Sequence, residues 1–112
     1  MPDCLFCKII KKEIPSKLAF EDENVYAFHD INPQAPTHLL IVPKKHLAGV
    51  VELGEGDKGL AGALILQAKR LAESLKLKSY RLVFNSGAEA GQSVFHLHLH
   101  LLSGRRFHWP PG

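Results

Sequence analysis

The sequence predicts a single α+β domain built on a mainly antiparallel sheet. Three observations carry this: five short strand-like runs fall in groups of two, one and two; one long helical pattern separates the third run from the fourth; and neighbouring runs are joined by hairpin-length connections. A chain of 112 residues supports one core and is too short to divide in two, so residues 1–112 are expected to form one unit.

The first element follows a cysteine pair. "LFCKIIKKEIP" sets apolar and basic residues at helical spacing and stops before Pro15, which predicts a short amphipathic helix. "KLAFED" and "NVYAFHDI" read as two strands separated by the turn-like Glu21 to Asn24 and ended by "NPQAP". "HLLIVPK", His38 to Lys44, reads as a buried third strand.

From Asp57 to Leu77 a helical period runs through Leu60, Leu64, Leu71 and Leu75, with Ile65, Ala68 and Ala72 beside them and Lys69, Arg70 and Glu73 opposite. This is the one long helix. Tyr80 to Asn85 is predicted as a fourth strand, "SGAEAG" as a glycine-bearing loop and Ser93 to Leu102 as a fifth strand, before a proline-ended tail. The long helix should cover one face of the sheet, leaving the other face or an edge for a ligand or a second subunit.

Composition narrows the function classes. Hydrophobic residues make up 46% and charged residues 22%, as in a globular protein, and no apolar run approaches the ~18 residues of a membrane span. The N-terminus lacks the order of a signal peptide, so a cytoplasmic address and no membrane partner are expected. The net charge of +3 is scattered, far short of the dense basic stripe of a duplex-binding surface, so no nucleic-acid partner is expected.

The densest chemistry lies in "QSVFHLHLHLLSG". If this is a strand, His96, His98 and His100 share one face, and Phe95, Leu97, Leu99 and Leu101 enter the other as core. Residues two apart stand about 6.6 Å from each other, so one metal ion could take two adjacent imidazoles but hardly three. At least one has another role. Neutral imidazole is a competent nucleophile towards phosphorus, and the central histidine is best placed to have its second nitrogen fixed by an acceptor.

The preceding loop, "NSGAEAGQS", adds a phosphate cradle: Gly87 and Gly91 allow close approach of main-chain amides, and Asn85, Gln92 and Ser93 add neutral donors. The two cysteines, Cys4 and Cys7, are spaced as a metal half-site or a redox pair, and histidines would have to complete a zinc site.

"GQSVFHLHLHLL", "FHDINPQAPTHLLIVPKKH" and the closing "HWPPG" together resemble the histidine triad superfamily, in its branch of histidine triad nucleotide-binding proteins, the HINT phosphoramidases. The resemblance runs from "FCKIIKKEIPSK" to the last glycine. It implies a five-stranded antiparallel sheet with two helices, a homodimer with a ten-stranded sheet, and hydrolysis of purine nucleoside phosphoramidates to the nucleoside monophosphate and an amine. By motif position, His98 would be the nucleophile that becomes nucleotidylated. His96 and His100 would bond the backbone or phosphate oxygens, and His46 of "PKKH" would help orient the row.

The same resemblance places Asn85 and Ser93 on the phosphate and leaving group, with Gly91, Gln92 and Val94 around the cradle. Asp30 would accept from the ribose hydroxyls, while Leu5, Phe6, Ile9, Phe28 and Ile31 would wall the base. The tail, residues 103–112, would lie near the active site, with Trp109 reaching the partner's site across the dimer. No cofactor is required for catalysis on this reading, and a structural zinc would be held by Cys4, Cys7, His46 and His96, a closed tetrahedral set that leaves His98 free. Two other classes are a zinc hydrolase using the His-x-His pair, and a nucleotide-binding scaffold dimer without turnover.

Overall fold

The structure, a computed structural model, describes residues 3–112. In chain order it contains α1 (Leu5–Ile10), β1 (Leu18–Glu21), β2 (Val25–His29), β3 (Thr37–Pro43), α2 (Lys58–Ser74), β4 (Arg81–Val83) and β5 (Leu99–Ser103). The five strands form one sheet in the order β1-β2-β3-β5-β4, antiparallel throughout. The α+β expectation, with five antiparallel strands and two helices, is what the chain forms.

Alternation along the strands divides the core in two. Val25, Ala27, Leu39, Ile41, Leu99 and Leu101 face α2, where they meet Leu64, Ala68 and Leu71. Each such side chain, fully buried, contributes roughly 1.5–3 kcal/mol if it is as large as Val or Leu. On the other face, Tyr26, Phe28, Leu40 and Val42 meet Phe6 and Ile9 of α1. The six-residue α1 covers only part of its face, and this is where a cavity opens.

Both helices end earlier than their sequence patterns, for the same reason. Lys12 and Lys76 adopt left-handed backbone (φ 66° and 58°). Glu13 N–H then donates to Lys8 O and Lys12 N–H to Ile9 O, while Leu77 N–H donates to Ala72 O and Lys76 N–H to Glu73 O. These are two Schellman closures with lysine where glycine is usual. As a result Leu75 lies beyond the end of α2 and is exposed; Ile65, in the middle of α2, is exposed as well and lies off the buried stripe of Leu64, Ala68 and Leu71.

The fifth strand is the larger correction. It starts at Leu99, not Ser93, so His96 and His98 precede the regular ladder. The segment before it is held instead by Leu97 N–H donating to Leu47 O at 2.6 Å. Leu97, Leu99 and Leu101 are buried as expected, but Phe95 is 52% exposed and does not enter the core.

Candidate active site

The first histidine of the row is fully buried, and its ring bridges two elements. His96 Nε2 donates to the Pro43 carbonyl at 2.8 Å. A carbonyl only accepts, so the proton sits on Nε2 and Nδ1 presents a lone pair. Burial pushes its pKa down, which keeps the ring neutral.

That lone pair faces a group of donors. His96 Nδ1 lies 3.3 Å from Cys4 Sγ, 3.6 Å from Cys7 Sγ and 3.1 Å from His46 Nδ1, and His46 Nδ1 lies 3.4 Å from Cys7 Sγ. A tetrahedral zinc with ordinary Zn–S and Zn–N bonds separates its ligands by about 3.3–3.8 Å, so these four residues fit a structural zinc ion. Cys4 Sγ also accepts from Cys7 N–H at 3.3 Å, which caps α1. The group therefore fastens α1 to the histidine row.

His98 is held differently. Its Nδ1 donates to the carbonyl of His96 at 2.7 Å, leaving a bare Nε2. Phe6 stands edge-on to the ring at 5.1 Å between centroids, and His100 follows at 4.9 Å. Burial lowers the pKa of His98 as well. An unprotonated ring nitrogen in a cavity wall can attack an electrophile without first losing a proton.

His100 is oriented by a residue that the sequence reading missed. Gln34 N–H donates to His38 Nδ1 at 3.0 Å, so the proton of neutral His38 lies on Nε2. His38 Nε2 donates in turn to His100 Nδ1 at 2.9 Å, which puts the proton of His100 on its Nε2. Burial, with His98 and His38 close by, pushes the pKa of His100 down to about 4. Asp30 Oδ2 lies 3.5 Å from His38 Nε2, and Asp30 Oδ1 accepts from Asn32 N–H.

The loop that supplies Gln34 is gripped from the far end of β5. Arg105 Nε donates to Gln34 O at 2.9 Å, and a Cβ on Gly104 (φ 101°) would lie 2.8 Å from Cβ of Pro36. Only glycine permits both the left-handed turn and this approach.

A cavity of about 370 Å³ collects these groups. Leu5, Phe6 and Ile9 of α1, with Phe28 and Ile31, form apolar walls, as anticipated, and Asp30, Ser93, Val94, His98 and His100 supply the remaining expected lining. Ile31, at 95% exposure, stands at the lip. His38, Leu40, Ile14 and Ser16 also line the cavity and were not anticipated.

Several candidates lie elsewhere. His46 and His96 belong to the cysteine group. Asn85 packs beside Gly91, whose φ is 101°. The buried amide of Gln92 braces the loop, accepting from Gly87 N–H through Oε1 and donating from Nε2 to Ala48 O and Val94 O. Trp109 is 84% exposed on the tail. Among the described residues neither group of three or more metal-capable side chains includes His98: one is Cys4, Cys7, His46 and His96, the other Asp30, His38 and His100.

A family model described as HIT domain matches residues 11–107. The chain is 51% identical over 111 residues to a HIT-like protein of Synechocystis sp., covering 98% of this chain and 97% of that one. It is equally 51% identical over 111 residues to a 14 kDa zinc-binding protein of Zea mays, covering 96% and 87%. A solved HIT family hydrolase from Legionella pneumophila superposes with a TM-score of 0.94 at 53% identity, covering 98% of this chain and 100% of the other. Among the described residues no helix is long and apolar enough to cross a membrane.

Proposed function

The chain belongs to the HIT-domain family, and on that premise we propose that it hydrolyses the P–N bond of purine nucleoside 5′-phosphoramidates through a covalent nucleotide on His98. The observation that carries this is the 2.7 Å bond from His98 Nδ1 to the His96 carbonyl, which leaves a nucleophilic lone pair at the cavity wall.

In the first step His98 Nε2 attacks the α-phosphorus, the P–N bond breaks, and the amine departs with its bonding pair and a proton. On this reading Ser93, which lines the cavity, donates to that nitrogen, and the Nε2–H of His100 donates to a phosphate oxygen. In the second step water attacks the phosphorus and gives its proton back to Ser93, and the bond from phosphorus to His98 Nε2 breaks, releasing the monophosphate and restoring the His98 lone pair. The base lies against Phe6, Ile9 and Phe28, and Asp30 accepts from the ribose. Cys4, Cys7, His46 and His96 would together fill all four positions of a tetrahedral zinc, which would then supply rigidity.

A homodimer accords with this reading. β4 is a three-residue edge strand whose Leu82, with Tyr80 just before it, is exposed beside unpaired main-chain groups.

Release of adenosine monophosphate from an adenosine phosphoramidate, with a nucleotidyl adduct on His98 by intact mass, tests the reaction. Tight nucleotide binding without release would replace it with the binding-module reading.

A further inference from the structure

The cavity beside the histidine row changes character at the end away from His98. Along the stretch from α1 to β1 its walls are Leu5, Phe6, Ile9, Ile14 and Pro15, all apolar, followed by one hydroxyl, that of Ser16. Ser16 precedes β1 and His98 precedes β5, and in the sheet order β1-β2-β3-β5-β4 those strands stand three spacings apart, about 14 Å. Ser16 Oγ lies 2.8 Å from the hydroxyl of Tyr26, a fully buried ring that packs against Phe28 on β2. Lys12 Nζ, an ammonium that only donates, stands 4.6 Å from the centre of the same ring. A phenol donates more readily than an alcohol, so the Tyr26 O–H donates to Ser16 Oγ. The hydrogen of Ser16 then has no partner among the described residues and is left for the cavity that Ser16 lines.

Resting on the phosphoramidase reading, we propose that Ser16, set by Tyr26, reads the 6-substituent of the purine, so that the chain prefers 6-oxopurine nucleotides, those of guanine or hypoxanthine, to adenine nucleotides. With the phosphorus at His98 and the ribose at Asp30, the base runs between Phe6 and Phe28 and turns its outer edge towards Ser16. There the Ser16 O–H meets a carbonyl oxygen in guanine or hypoxanthine, and the N–H groups of an amine in adenine. The carbonyl accepts. Donor against donor makes no bond, and the adenine amino group gives up water on entering an apolar slot without compensation. To accept from adenine, Ser16 would have to turn its own hydrogen away from the base, since one of its lone pairs is already taken by Tyr26. Tyr26 is thus a positioning residue: it lies behind the wall and acts on the base only through the oxygen of Ser16.

The test measures kcat/KM on guanosine and adenosine 5′-phosphoramidates of one and the same amine, for wild type, Ser16→Ala, Ser16→Thr and Tyr26→Phe, with calorimetric affinities for the two monophosphates alongside. Wild type should favour the guanosine substrate about tenfold. Ser16→Thr, which keeps the hydroxyl, should retain the preference, and Ser16→Ala should bring the ratio to within about twofold of one. Tyr26→Phe keeps the ring and frees Ser16 to turn, so its ratio should fall below about threefold. Each ratio is taken within one preparation, so any loss of folded protein cancels. A wild-type ratio near one, or a preference that survives Ser16→Ala, would overturn the assignment of Ser16; an undiminished preference in Tyr26→Phe would overturn its orientation by Tyr26. If wild type turned over neither substrate, the phosphoramidase reading would fall by itself: guanosine monophosphate bound about tenfold tighter than adenosine monophosphate would still uphold Ser16, and equal affinities would overturn both.

Discussion

His98 is bound through Nδ1 to the carbonyl of the residue two places before it, His96, whose own ring faces two cysteine sulfurs. One residue thus serves the donor group with its side chain and the His98 ring with its backbone. This is possible because the segment is irregular: a ladder strand would have engaged that carbonyl across the sheet.

Replacing His98 by Ala removes the lone pair and leaves the apolar walls in place. Turnover should fall by more than about a thousandfold, with nucleoside monophosphate binding changed by less than about tenfold. Adduct formation by intact mass and calorimetric binding read the two effects separately. Retention of a tenth of wild-type activity would exclude the covalent route.

His38 holds His100 in one tautomer. His38→Leu should reduce kcat on the order of a hundredfold, whereas His38→Gln, which can still donate to His100 Nδ1, should lose less. Steady-state kinetics of both variants would show equal losses if His38 only fills space.

The depressed pKa of His100 sets a pH window. The folded ring titrates at about 4 and the unfolded one near 6.5, so the unfolded chain binds the proton first. Stability from this group is therefore complete above about pH 6.5 and is lost as the pH falls towards about 4. Burial gives His38 the same sign. Glu21 and Asp57, lowered by lysine contacts, lose their contributions only at more acidic pH. Urea midpoints should fall between pH 7.5 and 5; a flat profile over that interval would contradict the buried neutral row.

For the cysteine group the expectation is close to one zinc per chain in protein purified without chelator. Cys4→Ser with Cys7→Ser should reduce this below a tenth and lower the melting temperature by at least about 5 °C. Metal analysis and thermal melts check both points. Wild-type protein with less than a tenth of an equivalent would refute the site.

Gly104→Ala must move Pro36 and adopt an unfavourable φ, which should cost about 1–3 kcal/mol. Because the displaced loop carries Gln34, activity should fall alongside stability. Unfolding curves and kcat on the same samples would separate this from a purely local cost, in which kcat stays at the wild-type value.

The sequence made the sheet legible because Val25, Ala27, Leu39, Ile41, Leu99 and Leu101 alternate with polar or opposite-face residues, and alternation is local information. The apolar wall of the cavity was legible only through family motifs. His38 was overlooked because it opens an apolar run and passes for a strand residue; its signal is register. Leu40 pairs with His100, so His38, two positions away on β3, lies diagonal to it on the same face. The exposed Phe95 and the late start of β5 were not legible, because both depend on Leu97 turning to the Leu47 carbonyl rather than to a strand.

The chain of rings from Gln34 to His100 is sealed at one end. Its terminal donor is a peptide N–H, whose nitrogen neither accepts a further proton nor releases the one it has at working pH. His38 and His100 therefore form a cul-de-sac for protons: each ring already has one nitrogen protonated and the other accepting, so the pair fixes the direction of the His100 Nε2–H and carries no charge through the sheet.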